Sequence, residues 1–315
     1  MKRAVRFGIP LVVTVVLGYL LLRRISLAEM VKLASGISPV AGVVLILLTA
    51  LFVGLRGLRF RAVISTQLAP NGFIGPAAAY TLSAQLLPGG AGELTLPVLL
   101  SPLGISAGQS MAMLVVCRLL DLVLSLTLGA VLWVLIGTTG SHLPMVGLGA
   151  SVIIVMVASL LFVPAVQRHL SAWLDTVIAR RPSKLVVMTR EAVATVAGFS
   201  GMRVLRVVAL TLMLKLLASS FYYFLALILQ ARLSFLQVAL ATQLSTLFMA
   251  VPVQGVAGLG TVDAWWALSL KLVGLPTTTA IYYAIIFHFS YLLATAALGI
   301  WPLVRRVGSL SGRLA

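Results

Sequence analysis

Cysteine, acid and charge are all scarce in this chain of 315 residues. A single cysteine, Cys117, excludes an intrachain disulfide and any cysteine-based metal cluster. The three histidines, His142, His169 and His288, are far apart and show no metal-ligand spacing. No Walker loop and no nucleotide fingerprint occurs, so no ATP-driven engine and no cofactor is expected. Only 9% of residues are charged, against about a quarter in a typical soluble domain, while 61% are apolar. With a mean hydropathy of +1.15, that much apolar side chain cannot be hidden in one core. The chain is expected to be an integral membrane protein.

The charge that remains is lopsided, 23 Lys and Arg against 6 Asp and Glu. The bases flank apolar runs, which points to positive-inside topology and attraction to anionic lipid at the cytoplasmic face, with no nucleic-acid partner. Apolar runs long enough to span fall at about 7–22, 39–55, 113–136, 145–163, 207–229 and 278–304. The first follows Lys2, Arg3 and Arg6 as a signal peptide would, but no small-residue cleavage site appears, so a retained span is expected.

Two further apolar stretches are broken. Residues 72–110 are interrupted at Pro88, Gly89, Gly90 and Gly92, just before Glu93; residues 235–275 are interrupted at Pro252, Gly255, Gly258 and Gly260, just before Asp263. Irregular backbone is tolerated at membrane depth only where protein or a watery cavity satisfies it, so both stretches predict re-entrant hairpins. With the hairpins returning to their own sides and both termini cytoplasmic, most bases fall inside, Arg56, Arg59 and Arg61 among them. Arg23, Arg24, Lys32, Arg232 and Lys271 then lie outside, and Arg118 and Lys215 within spans.

Shifting the chain against itself by 170 residues places Glu93 on Asp263, Arg118 on His288 and Gly129 on Gly299. The predicted fold is therefore an all-α polytopic membrane domain over 1–315. It comprises six full transmembrane helices and two re-entrant hairpins in an inverted repeat, with halves at 1–136 and 145–304. The stretch 164–206 is a basic cytoplasmic segment, partly amphipathic. Paired broken helices in inverted repeats are the pattern of secondary transporters.

Ionisable groups at membrane depth mark candidate function. Glu93 ends the first break, Asp263 follows the second, and Arg118 and Asp121 lie three apart on one helix face. Two readings stand here. Arg118 can simply neutralise Glu93 or Asp121. Alternatively, one acid is left over to exchange a proton or bind substrate, and Arg118 is available for a phosphate through its bidentate fork. His288 can titrate; Lys215 either snorkels or adds positive potential. The amides Gln85 and Gln254, with Gln109 and Gln243, lie near the hairpins.

Leu87-Pro88-Gly89-Gly90-Ala91-Gly92-Glu93, followed by Gly104-Ile105-Ser106 and Cys117-Arg118-Leu119-Leu120-Asp121, resembles the Pro-Gly-x-x-Gly-Glu … Glu-Arg-x-x-Asp pattern of the lysylphosphatidylglycerol synthase transmembrane region, a flippase-like membrane family. Val251-Pro252 through Asp263, and then Gly274, is similar to the family's later Pro-Gly-Gly-x-Gly-x-x-Glu segment. Cys117 stands in place of Glu, Val253-Gln254-Gly255 in place of the second Pro-Gly-Gly, and Asp263 in place of Glu. The resemblance implies movement of an aminoacylated or sugar-linked lipid across the inner membrane, without the soluble synthase domain. A membrane lipid, phospholipid or polyprenyl-phosphate-linked, is the implied substrate, with a lipid synthase or glycosyltransferase as a partner. No catalytic motif is found. An intramembrane enzyme acting on a lipid-linked substrate and an accessory subunit are the alternative expectations.

Overall fold

A computed structural model describes residues 12, 14–21, 23, 26–64, 68–88, 91–136, 164–180, 183–197, 201–251 and 254–311. The described residues are helical, with no strand among them. The predicted span at 145–163 lies outside them, as do Gly89, Gly90 and Pro252. Of the predicted first span, residues 12 and 14–21 are described, and they are helical.

After that segment come α1 (Leu27–Ser35) and α2 (Pro39–Ile64). The first broken stretch holds α3 (Ile74–Leu86) and the five-residue α4 (Leu96–Leu100), followed by the long α5 (Ala107–Ile136). The basic segment forms α6 (Pro164–Arg180) and α7 (Lys184–Ala197). Then the order recurs: long α8 (Gly201–Ile228), short α9 (Phe235–Phe248) and α10 (Thr261–Leu272), and long α11 (Thr277–Ser311). Pro39–Ile64, Ala107–Ile136, Gly201–Ile228 and Thr277–Arg306 are each long and apolar enough to cross a membrane, with mean hydropathies of 1.7 to 2.4. At 1.5 Å per residue, α3 and α9 measure roughly 20 Å, well short of the ~30 Å hydrocarbon core.

The spans differ from their sequence boundaries for local reasons. α2 continues nine residues beyond the expected end at 55, because Arg56 and Arg59 turn into the protein instead of marking its surface. The return arm at 94–110 is not one helix. Pro97 and Pro102 each lack an N–H and sit in the opening turn of a short helix, so the chain restarts twice before α5 begins at Ala107. α8 starts at Gly201, so Arg203 and Arg206 belong to a span helix and not to the basic segment. Within that segment α7 packs on α5, where Ser106 Oγ donates to Glu191 at 2.6 Å, instead of lying free on the surface.

Packing between the two helix series is reciprocal. α2 packs on α8; α11, the last helix, packs on α3; α5 packs on α9. Gly129 of α5 faces the Cβ of Gln243 on α9, and Gly299 of α11 faces Ala78 and Leu82 on α3. Each series also has its own core, one around Phe60, Phe73, Leu100 and Met113, the other around Leu225, Leu240, Trp266 and Phe287. The two broken stretches are thereby brought face to face.

Candidate functional site

α2, α3, α5, α8, α10 and α11, with the second break, line a partly open cavity. Its wall carries Gln85, Arg118 and Asp121 from the first series and Gln254, Gly258 and His288 from the second, so most of the predicted site residues converge on one space. Glu93 and Asp263 join through partners on that wall. Glu93 accepts from Arg118 Nη2, and Asp263 Oδ1 lies 2.8 Å from His288 Nδ1. The acid after each break is thus paired with the residue 25 positions on, in equivalent places of the two series.

Two arginines were not among the candidates. Arg59 is 3% exposed and grips Asp121 with both prongs, Nη1 to Oδ1 at 2.7 Å and Nη2 to Oδ2 at 3.3 Å. Arg56, one turn away, donates Nη1 to Thr81 Oγ1 at 2.8 Å and lies over the Phe52 ring, 4.7 Å from its centre. The Nε of each is buried and without a hydrogen-bond partner among the described residues. Read from the sequence as flank charges, both side chains turn into the protein. A sequence signal existed: the apolar run resumes at Ala62-Val63-Ile64, so the arginines interrupt one helix and do not end it.

Of the two partners the sequence offers Arg118, the structure pairs it with Glu93, and Asp121 is held by Arg59 instead. The expectation of a surplus acid is overturned with it. Among the described residues on or beside the cavity wall, the cations Arg56, Arg59, Arg118 and Lys215 outnumber the carboxylates Glu93, Asp121 and Asp263 by one. Lys215 is buried; its Nζ donates to Ser125 Oγ at 2.6 Å, within electrostatic reach of Asp121. A buried guanidinium N–H left unmade is costly, and a surplus of such donors favours an anion.

The second break supplies the cavity's irregular wall. Ala257 and Gly258 follow each other in the left-handed region, with φ of 52° and 71°. The Asp263 carboxylate secures the turn by accepting from the Gly260 N–H at 2.8 Å, at the start of α10. Gln85 donates to Thr295 Oγ1 at 2.8 Å, which ties α3 to α11. Gln109 and Gln243 do not reach the cavity. Gln109 accepts from the Ser106 N–H ahead of α5, and Gln243 is buried beside Ser125. Trp266 is a core residue against Tyr222, with an edge on the cavity, and Trp265 stacks near Phe248.

Long apolar helices around an arginine-lined polar cavity define a multi-pass membrane protein with a site for a polar group. Comparison with known families matches residues 8–299 to the one described as Lysylphosphatidylglycerol synthase TM region. The chain belongs to that family. Comparisons with curated proteins and with solved structures returned no match.

Proposed function

We propose that this protein is a lipid flippase that carries a polar, phosphate-bearing head group across the cytoplasmic membrane while the hydrocarbon chains stay in lipid. The observation that carries the reading is the cavity where the two broken stretches meet, walled by Arg56, Arg59 and Arg118, the first two each with a buried Nε–H that has no hydrogen-bond partner among the described residues. The short helices α3 and α9 and the reciprocal packing support two re-entrant hairpins in inverted halves that open in turn to opposite sides. Contacts at matching positions, the Glu93–Arg118 ion pair and the Asp263–His288 hydrogen bond, act as the gating contacts. Both termini face the cytoplasm. The lipid gradient, a proton or the membrane potential supplies the driving force, and a lipid synthase or glycosyltransferase supplies or consumes the lipid. No covalent step belongs to this reading.

The test is head-group translocation in proteoliposomes with a head-group-labelled phospholipid. Wild-type protein is expected to accelerate flux over empty vesicles, and Glu93→Gln/Arg118→Ala to abolish the acceleration. Equal flux through wild type and variant would sink the assignment.

A further inference from the structure

A second, partly open cavity adjoins the first and shares Arg56, Tyr222, Met249, Trp266 and Tyr291 with it. It lies between α2, α8 and α9, and Arg56 is the only charged side chain among its described lining residues. Its threonine and serine hydroxyls are spent on their own helices. Thr49 donates to Leu45 O at 2.8 Å, Thr242 to Val238 O at 2.8 Å, and Thr246 to Thr242 O at 2.9 Å. With the donor protons turned back to the backbone, these residues present mainly methyl groups and carbon to the space. Phe52, Leu217 and Phe221 complete an apolar wall. Arg56 marks the border, its charge over the Phe52 ring and its unpartnered Nε buried.

We infer that the two cavities form one bipartite site for an acidic amphiphile. Its anionic head group lies against Arg56, Arg59 and Arg118, and a hydrocarbon chain fills the second cavity between α2, α8 and α9. This rests on reading the first cavity as a head-group site; it adds the sign of the head-group charge and the path of the chain. The sign follows from the local count. Glu93 and Asp121 are held by arginines and Asp263 by His288 and the Gly260 N–H, so no carboxylate at the described wall is left to neutralise a cationic aminoacyl head group, whereas Arg56, which pairs with no carboxylate among the described residues, meets an acidic one. The chain path follows from continuity, since an apolar space opens directly off the charged one.

Lipid binding to the purified full-length protein tests it, read by native mass spectrometry with phosphatidylglycerol, phosphatidylcholine, lysyl-phosphatidylglycerol and inorganic phosphate as separate probes. Phosphatidylglycerol is expected to bind at least about tenfold more tightly than either of the other lipids. Arg56→Gln is expected to erase that preference. Ala218→Trp and Thr246→Phe, which fill the second cavity from α8 and α9, are expected to weaken phosphatidylglycerol about tenfold and to leave phosphate binding unchanged. Two filling positions keep the test valid if one variant fails to fold. Equal affinity for the three lipids overturns the charge assignment. Unchanged phosphatidylglycerol binding in a folded filling variant overturns the chain path, and phosphate binding as tightly as the lipid reduces the site to one for a free anion. The expected binding pattern without translocation would refute transport alone; translocation without acidic-lipid preference would refute this inference alone.

Discussion

Arg59 and Asp121 form a two-pronged ion pair between α2 and α5, with the arginine 3% exposed and the shortest contact at 2.7 Å. Such a pair is worth little over an apolar isostere, but breaking it leaves a buried charge uncompensated. Asp121→Asn is therefore expected to cost about 3–5 kcal/mol. The Arg59→Met/Asp121→Leu double variant should recover most of that stability while losing the anion site. Thermal unfolding in detergent, followed by tryptophan fluorescence, measures both. A single variant that melts with wild type would show that the pair bears no weight.

Gly258 combines a φ of 71° with close quarters, since a Cβ there would meet Val262 and the Nε2 of His288. Gly258→Ala is expected to strain the turn by about 1–2 kcal/mol and push against His288, lowering head-group flux more than yield. Gly42, inside α2 with open space around it, is the control. Gly42→Ala should be neutral or stabilise by up to about 1 kcal/mol. Matched flux for the two variants would argue against a gating role for the second break.

Asp263 serves the Gly260 N–H and His288 at once. Asp263→Asn keeps an acceptor for the backbone, whereas Asp263→Ala gives up the cap and is expected to cost about 1 kcal/mol more. If the Asp263–His288 contact gates transport, both variants lose flux but only the alanine loses stability. Full flux in the asparagine variant would confine Asp263 to a capping role.

α7 docks on α5 where Glu191 crosses over Gly108, and a Cβ at Gly108 would collide with the Glu191 side chain and the Met188 carbonyl. Gly108→Leu is expected to undock α7 and loosen its backbone, so that trypsin cuts faster after the exposed Arg190. Limited proteolysis followed by mass spectrometry checks it. A digestion rate equal to wild type would mean the contact does not hold the helix.

The membrane class and the long helices were legible in the sequence because sustained apolar runs have few structural outcomes. The breaks were legible too, since clustered Gly and Pro interrupt helices where single ones such as Gly42 and Pro302 do not; α3, α9 and α10 end or begin beside the clusters. Gln85, Arg118, Asp121, Gln254 and His288 stood out because polar groups are rare and costly in such runs, and the fold collects them around one cavity.

Partner choice was not legible. Arg118 and Asp121 share a helix face, yet each ion-pairs with a residue from another element, and Arg56 and Arg59 looked like flank charges because a hydropathy run does not say which way a side chain turns. Composition and spacing act along the chain, so they settle which segments are apolar, where helices must break and which ionisable groups are exceptional. The sign of the cavity's charge depends on contacts across the bundle between α2, α3, α5 and the second break. Only the packed structure brings those elements together, and it turns an expected surplus of acid into a surplus of arginine.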